Sequence, residues 1–469
     1  MITESKKEEF PMVKRLLFDK HHVSNHGLNW GAKGEFTVRC NPPKKPEKPF
    51  LVADKPWEEF GLNWCTMRIE DGKYRVWYEA FDANANGDMT GRLCYAESDD
   101  LVTWVKPELG ICEYKGSKNN NIVIDQAVTL GLGIHGHSIF LDPNSPDCAK
   151  YRCVFLGDMP RVQGIEMPTI TYAYSPDGLH WTLGAPELPR DFNHFPRTYF
   201  GSDTQCVVRW DKELRRYVGY FRTWEPNGAR SIARSETNSL IEWPMPKTVL
   251  KPDFLDDFQA DYYNSAATKV EEDGEVAHYI FYSWFDHNTD CLEVRLATSR
   301  DGIYYDRYDR SAYIKNDSYY DKGGLYVSSG IHDLGNGVQA LIYNGAARTH
   351  GEEMDYNAKG GTCMVTFPKD RIQGLDTKTK FEFCVMGKVD PLNPEVTLNA
   401  EIRGQVKAAL IGPDGEFIPG YTVDDCVPVT GDSLCHKITW KGGATDIRKA
   451  DLKLFAEDAT LYAVTVNEA

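Results

Sequence analysis

The first 375 residues form a series of short apolar runs, each ended by a tight polar turn. Runs such as GLNWCTMRI and KYRVWYEAF are rich in Val, Ile, Tyr, Phe and Trp, and a turn at residues 70–72 separates these two. Stretches of about five to eight such residues between turn residues predict β-strands joined by hairpins. No convincing amphipathic helix interrupts them, so the pattern predicts an all-β fold.

One phrase recurs at the end of four successive strand groups. It reads YAESDDLVTW, YAYSPDGLHW, IARSETNSLIEW and LATSRDGIYY, with its serine at positions 98, 175, 235 and 299. Ser and Asp side chains cap tight turns, Gly allows a positive φ angle, and the closing aromatic residue packs between neighbouring units. The phrase therefore indicates a repeated structural turn. Its spacing of about 60 to 77 residues is the size of one four-stranded propeller blade with its loops.

These repeats predict that residues 1–375 form a five-bladed β-propeller. The strand groups that end in the phrase supply four blades, and GGLYVSSGI, VQALIYNGA and GTCMVTF supply the fifth. After residue 375, longer alternating strands such as EVTLNAEIRGQVKAALI are joined by Pro-Asp-Gly and Lys-Gly-Gly turns. Alternation of this kind predicts that residues 376–469 form a C-terminal antiparallel β-sandwich. Its polar residues define no clear site, so we expect an accessory, stabilising domain.

Composition narrows the choice of partners. A formal net charge of −16 repels nucleic acids and anionic membranes, so neither is an expected partner. The 25 Tyr, 21 Phe and 11 Trp residues suit a β-rich protein, and aromatic rings also stack on the apolar faces of sugars.

Twelve cysteines are scattered without a CxxC motif, which excludes a disulfide framework or a zinc ribbon. The charged N-terminus has no apolar stretch of signal-peptide length, so we expect a cytoplasmic protein.

With its blades assigned, the chain resembles the five-bladed propeller glycosidases of glycoside hydrolase families 32 and 43. The resemblance rests on the Ser-x-Asp-Gly-x-x-Trp phrases, and a C-terminal β-sandwich is common in family 32. HSIFLDP (137–143), SDTQ (202–205) and the C-terminal GYTVDDCVPVTGDS also resemble phrases of a group of bacterial family-32-like proteins. The likeness covers nearly the whole chain at the level of blade pattern. It implies a carbohydrate-active enzyme whose substrate is an oligosaccharide or a glycoside.

The chain departs from those families at their acidic triad. They carry a carboxylate at the start of the innermost strand in each of the first three blades. Here the first blade has Asn63 and Trp64 at that place, and the second has His135 and His137. Asp203 in the third blade fits the pattern. The triad is therefore not carried over intact.

The innermost strands of a propeller converge on one axis, so polar residues at their starts are expected to share a central funnel. We predict that Asp203, Asp261 and His137 are the catalytic residues of that funnel. The predicted substrate-binding residues at or near these starts are Glu59, Asn63, Trp64, His135, Gln205, Tyr263, Asn264, Asp321 and Tyr326. The loop after the second strand of blade five adds Asn344, Arg348, His350 and Glu353.

Three activities fit this set of side chains. Hydrolysis of a glycosidic bond in a small oligosaccharide needs a proton donor and a second carboxylate, for which Asp203 and Asp261 are the candidates. A lyase acting on a uronic-acid sugar would use a His or Tyr base, with an Arg or a cation on the sugar carboxylate. A sugar-binding propeller without catalysis is the third. Hydrolysis is the favoured activity, with His137 orienting an acid or acting as one.

No cofactor is predicted with certainty. His135 and His137, two residues apart with a carboxylate nearby, are consistent with a divalent metal at the propeller axis, as are axial Asp and Asn side chains with a hydrated Ca²⁺. Two imidazoles without a third spaced ligand are a weak signal, so the metal is left unassigned. The sequence also allows a homo-oligomer without predicting one.

Overall fold

The structure is a computed structural model, and it describes residues 10–24, 31–83, 89–157, 169–184, 202–352 and 360–468. Glu353 lies outside these ranges. Nearly all regular structure in them is β-strand, with two short 3-10 helices at Pro56–Glu58 and Asp147–Ala149. No helix in the described residues has the length and apolar character needed to span a membrane. The all-β prediction is confirmed.

Three N-terminal strands precede the propeller: β1 (Met12–Leu16), β2 (Val23–Ser24) and β3 (Thr37–Cys40). The first blade contains β4 (Leu62–Glu70), β5 (Lys73–Ala83), β6 (Met89–Ser98) and β7 (Ile122–Ile124). The second contains β8 (His135–Leu141), β9 (Tyr151–Gly157), β10 (Thr169–Ser175) and β11 (Thr182–Leu183). The third contains β12 (Val207–Asp211), β13 (Arg216–Trp224), β14 (Arg230–Thr237) and β15 (Lys247–Leu250). The fourth contains β16 (Ala260–Glu272), β17 (Glu275–Asp286) and β18 (Cys291–Ser299). The fifth contains β19 (Gly324–Val327), β20 (His332–Gly335), β21 (Val338–Ala346) and β22 (Gly361–Pro368).

These five antiparallel sheets are the blades of the predicted propeller. β4, β8, β12, β16 and β19 are its inner strands, and hydrogen bonds join neighbours among them. The amide of Ile139 donates to Thr66 Oγ1 at 3.3 Å, and that of Val208 donates to Ser138 Oγ at 3.1 Å. The ring closes where the Cys65 amide donates to Ser328 Oγ at 3.3 Å. Buried amide donors thus find acceptors across blade boundaries, which stabilises the ring.

The repeated Ser-Asp phrase forms the predicted structural turn. At Ser175 the hydroxyl oxygen accepts the Asp177 and Gly178 amides, while Asp177 Oδ1 accepts the Leu179 and His180 amides. The same pattern recurs at Ser98 with Asp100 and at Ser299 with Asp301. The closing Trp181 is buried and donates its ring N–H to the Gly178 carbonyl at 3.0 Å. Side chains therefore satisfy the backbone of a tight turn in blades one, two and four. In blade three Ser235 Oγ instead donates to the Pro244 carbonyl, and Thr237 Oγ1 accepts the Ser239 amide.

The C-terminal strands are long: β23 (Gln373–Val389), β24 (Val396–Ile411), β25 (Val429–Lys437) and β26 (Ala450–Asn467). They form an antiparallel sheet whose register shifts at bulges, which bend the strands around one apolar core. This arrangement is consistent with the predicted sandwich.

The N-terminal strands belong to this same sheet. β1 pairs with β26, whereas β2 and β3 pair with β23. The prediction assigned all residues up to 375 to the propeller. The sequence of a short terminal strand does not indicate which distant strand it pairs with. In the structure the C-terminal sheet therefore contains strands from both ends of the chain.

Candidate functional site

The candidate site lies where the inner strands begin and their antiparallel neighbours end. Three inner strands carry a β-bulge at this end: β4 between Asn63 and Cys65, β8 between His135 and Ser138, and β16 between Tyr262 and Ser265. A bulge places an extra residue against its partner strand and re-aims the side chains around it. The bulged segments hold Trp64, His137 and Tyr263.

Six residues form a closed circuit of contacts around the axis, which we call the axial ring: His135, Asp203, Arg222, Tyr263, Tyr326 and Trp64. His135 Nε2 lies 2.9 Å from the Asp203 carbonyl oxygen, and the Asp203 carboxylate forms an ion pair with Arg222. The Arg222 guanidinium lies 5.0 Å from the centre of the Tyr263 ring. Ring centres are then 5.8 Å apart for Tyr263 and Tyr326, 5.5 Å for Tyr326 and Trp64, and 6.5 Å for Trp64 and His135. Every blade contributes at least one member.

Behind the axial ring, a fully buried carboxylate holds both histidines of the HGH stretch. Glu79 Oε1 accepts the His137 amide and its ring Nδ1–H, both at 2.8 Å. Glu79 Oε2 lies 3.3 Å from His135 Nδ1. Burial alone would raise the pKa of Glu79, but the hydrogen bonds and charges of the two histidines lower it to about 2. Glu79 is therefore ionised at neutral pH.

His135 faces an acceptor at each ring nitrogen. Its Nδ1 points to the Glu79 carboxylate and its Nε2 to the carbonyl oxygen of Asp203. A carboxylate and a carbonyl both accept, so the two contacts together favour the doubly protonated imidazolium. The side chain of His135 is 27% exposed, whereas that of His137 is fully buried. Of the two, His135 is the one that faces the funnel.

Two acidic residues on blades three and four are each paired with an arginine. The side chain of Asp203 is 60% exposed, although its partner Arg222 is 1% exposed. Burial lowers the pKa of the Arg222 guanidinium to about 10. Asp261 is instead buried, accepting the Arg230 amide at 2.9 Å, Arg230 Nη1 at 2.5 Å and His287 Nε2 at 2.8 Å. Asp203 thus presents a carboxylate to solvent, whereas Asp261 holds Arg230 and His287 in place.

Buried amides line the axis below the ring. Gln205 Nε2 donates to the carbonyls of His137 and Cys65, and Asn264 Nδ2 donates to the Val327 carbonyl at 2.6 Å. Asn344 Nδ2 lies 3.4 Å from Thr362 Oγ1. Their amide nitrogens thus contact neighbouring strands, whereas Gln205 Oε1, Asn264 Oδ1 and Asn344 Oδ1 are buried without a hydrogen-bond partner among the described residues.

Blade five brings two further predicted residues to the ring. His350 Nδ1 lies 3.3 Å from the Tyr326 hydroxyl, and the His350 ring centre is 4.8 Å from that of Tyr263. Burial raises the pKa of Tyr326 well above its ordinary value, and the positive charge of half-buried Arg348 acts in the opposite direction. Burial also lowers the pKa of His350, with the charge of Arg230 adding to the effect. Both side chains are therefore held in their neutral forms.

The remaining predicted residues lie apart from these contacts. Asn63 is beside the ring, where its Oδ1 accepts the Trp64 amide at 3.0 Å. Glu59 is exposed after the first 3-10 helix, and its charge acts on Lys115. Asp321 is fully buried against Lys45, whose Nζ is 2.8 Å from Oδ2, and its carboxylate also accepts the Tyr343 hydroxyl. Asp321 therefore anchors blade five, because its carboxylate is already satisfied.

Sequence reasoning missed Glu79, Arg222, Arg230 and His287. Glu79 lies within the second strand of blade one, and the other three lie at or near ends of second or third strands. The predicted residues came from the starts of inner strands and, in blade five, from the loop after the second strand. In an antiparallel pair these ends share one edge, as the register of Asn63 with Glu79 shows. A lone charge in an apolar strand was the available signal, in VWYEAF for Glu79 and in VGYFRTW for Arg222.

The described residues were also predicted to allow a divalent metal at the two histidines or at axial Asp and Asn side chains. They contain no group of three or more His, Cys, Asp or Glu side chains arranged to hold a metal ion. Both histidines of the HGH stretch instead contact Glu79, and His137 does so through a hydrogen bond from Nδ1.

The sequence matches no protein-family model and no curated protein. Similar solved structures include a glycoside hydrolase, with 13% identity, a TM-score of 0.48 and coverage of 70% of this chain and 94% of that chain. A fructofuranosidase from Schwanniomyces occidentalis, solved with fructosylnystose, has 12% identity, a TM-score of 0.44 and coverage of 91% and 99%. The catalytic domain of an α-L-arabinofuranosidase from Coprinopsis cinerea has 13% identity, a TM-score of 0.41 and coverage of 71% and 96%. The chain is thus similar in fold to solved glycoside hydrolases, at low sequence identity.

Proposed function

We propose that the chain is a carbohydrate-active enzyme that hydrolyses a glycosidic bond of a small oligosaccharide in the funnel. The axial ring is the observation that carries this proposal. It combines an exposed carboxylate, an imidazole and an arginine with three aromatic rings at the one place where all five blades meet. Aromatic faces stack on sugar rings, and the polar members match sugar hydroxyls.

In this proposal Asp203 and His135 act on the two sides of the bond. His135 as the imidazolium gives its proton to the leaving oxygen as the glycosidic C–O bond breaks. Asp203 either takes a proton from the attacking water or attacks the anomeric carbon before water does. Glu79, together with His137, positions His135, and Asp261 positions Arg230. In this proposal Asp203 is therefore catalytic, whereas Asp261, predicted as its catalytic partner, is a positioning residue.

Elimination is the alternative, for which a tyrosine or the neutral His350 is the candidate base. Tyr326 is one tyrosine of the axial ring, and burial raises the pKa of its phenol well above its ordinary value. A phenolate is therefore costly at neutral pH. Hydrolysis requires no such group, because Asp203 already carries an exposed carboxylate.

Product mass tests the proposed reaction. The chain is incubated with a panel of neutral and uronic-acid oligosaccharides, and products are measured by mass spectrometry. Hydrolysis gives fragments whose masses sum to the substrate plus one water. Asp203→Asn is expected to fold and to lose activity by about a hundredfold or more, whereas Asp99→Asn, a change at an 84%-exposed side chain, retains it. Unsaturated fragments that sum to the substrate mass would overturn hydrolysis in favour of elimination.

A further inference from the structure

Two arginine side chains lie together on the funnel wall formed by blades three and four. The guanidinium carbons of Arg222 and Arg230 lie 5.0 and 5.4 Å from the ring centre of Tyr263. The same carbons lie 5.4 and 4.9 Å from the ring centre of Trp224, a residue that is 44% exposed. Two like charges are therefore held against the same two aromatic rings.

These guanidinium groups have unused donors. Arg222 is 1% exposed, and its Nε and Nη1 have no hydrogen-bond partner among the described residues. Nε of Arg230 is also buried and lacks a partner in that part of the chain. A buried donor without an acceptor raises the free energy of the folded protein. A ligand oxygen that accepts from one of these guanidinium N–H groups removes that cost and forms a charge-assisted hydrogen bond.

On this wall each arginine charge is balanced by one aspartate, Asp203 for Arg222 and Asp261 for Arg230. Asp261 is fully engaged by Arg230 and His287, and the Asp203 carboxylate is largely exposed, so solvent screens its charge. Burial and the charges of Arg230 and Arg222 lower the pKa of His350, although Asp290 opposes them. The wall therefore attracts an oxyanion through its unused guanidinium donors, and not through an excess of positive charge.

We propose that Arg222 and Arg230 form a subsite for an oxyanion carried by the sugar, so that the substrate is an acidic saccharide. The carboxylate of a uronic acid and a sulfate or phosphate ester share this chemistry, since each presents two or more acceptor oxygens to a guanidinium fork. The inference rests on the proposed function, because it places the acidic sugar in the same funnel. Tyr263 and Trp224 supply the aromatic faces for its ring.

Calorimetric titration with monosaccharides tests the subsite. Glucuronic and galacturonic acids, galactose 6-sulfate and glucose 6-phosphate are compared with glucose and galactose. At least one acidic sugar is expected to bind about tenfold or more tightly than its neutral counterpart. Arg230→Gln should abolish that difference. Arg222→Lys, which keeps the charge at the buried position, should reduce it while thermal unfolding shows a folded protein.

A matched control and two contrary outcomes distinguish failure of the acidic subsite from failure of the proposed hydrolase function. Lys251→Gln removes the same charge from a 59%-exposed side chain on the same blade and should leave the preference intact. Equal binding of acidic and neutral sugars would overturn the acidic subsite and leave the proposed function standing. Binding of free sulfate or acetate without binding of any sugar would overturn the proposed function instead. The preferred acidic sugar identifies the oxyanion as carboxylate, sulfate or phosphate.

Discussion

Glu79 is a fully buried carboxylate that is kept ionised by His135 and His137. Such a charge is stable only while its partners stay in place, because removing a partner leaves a buried charge uncompensated. The same contacts fix the orientation of both imidazoles. One residue therefore couples the stability of blades one and two to the geometry of the funnel.

Replacing this carboxylate tests that coupling. The folded-state pKa of Glu79 is about 2, against an ordinary value of 4.5. The ionised Glu79 thus makes its full contribution to the free energy of unfolding above pH 4.5, and this contribution is lost as the pH falls from 4.5 to about 2. Glu79→Gln should lower the free energy of unfolding by about 3 kcal/mol at pH 7.

Urea unfolding at pH 7 and pH 3 measures the effect. The gap between wild type and variant should shrink at pH 3, because the wild type has by then lost part of the same contribution. Glu47→Gln, at an exposed position, serves as the control and should change stability by less than about 0.5 kcal/mol. An equal gap at both pH values would contradict the assigned charge state.

At the scale of strands, the bulge in β8 brings blade two against blade three. Gly136 has a φ of +63°, and a Cβ built there would lie 2.3 Å from the Thr204 carbonyl oxygen. Its own carbonyl accepts the Cys206 amide at 2.6 Å. Only glycine allows both this backbone conformation and this close approach. The residue between the two histidines is therefore set by the contact between blades.

Gly136→Ala is expected to destabilise the fold by about 2 kcal/mol or more, from backbone strain and steric overlap together. Gly228→Ala isolates the strain, because Gly228 also has a positive φ of +86° but has open space around a Cβ. Its expected cost is about 1 kcal/mol. Thermal or denaturant unfolding measures both variants, and equal costs would show that the close approach to Thr204 does not matter.

The strands themselves were predictable because apolar runs and turn residues follow local rules. The Ser98 and Ser175 turns behave as their sequences indicated, with side chains accepting backbone amides. The site was harder to predict because bulges at Trp64, His137 and Tyr263 shift the register of inner strands. A register shift cannot be inferred from alternation alone, since it depends on contacts between blades. The ion pairs of Asp261 and Asp321 likewise depend on distant cations.

At the scale of the whole molecule, the N-terminal segment links the propeller to the C-terminal sheet. Arg300, at the end of blade four, donates to both carboxylate oxygens of Asp19 at 2.8 and 2.9 Å and to the Leu16 carbonyl at 2.8 Å. It also donates to Glu275 Oε1 at 2.5 Å, and its guanidinium lies 3.9 Å from the Phe18 ring centre. This arginine is a principal contact between the two units.

Arg300→Gln should lower the free energy of unfolding by about 3 to 5 kcal/mol, because it leaves two largely buried carboxylates without their shared cation. Denaturant unfolding followed by tryptophan fluorescence measures the loss. Lys33→Gln, at a 63%-exposed side chain 3.6 Å from Glu382, is the control and should cost less than about 1 kcal/mol. Equal effects of the two changes would mean that Arg300 does not join the units.

The central claim is that the axial ring is the saccharide site, and a crystal structure of Asp203→Asn with a bound oligosaccharide tests it most directly. The ligand should be one that the wild type cleaves or, without a cleaved substrate, the tightest-binding acidic sugar. We expect electron density for the sugar at the ring, in contact with Tyr263 and Tyr326 and within hydrogen-bond distance of His135. Sugar bound only outside the ring, as on the exposed Phe254 and Phe258 or on the C-terminal sheet, would contradict the account.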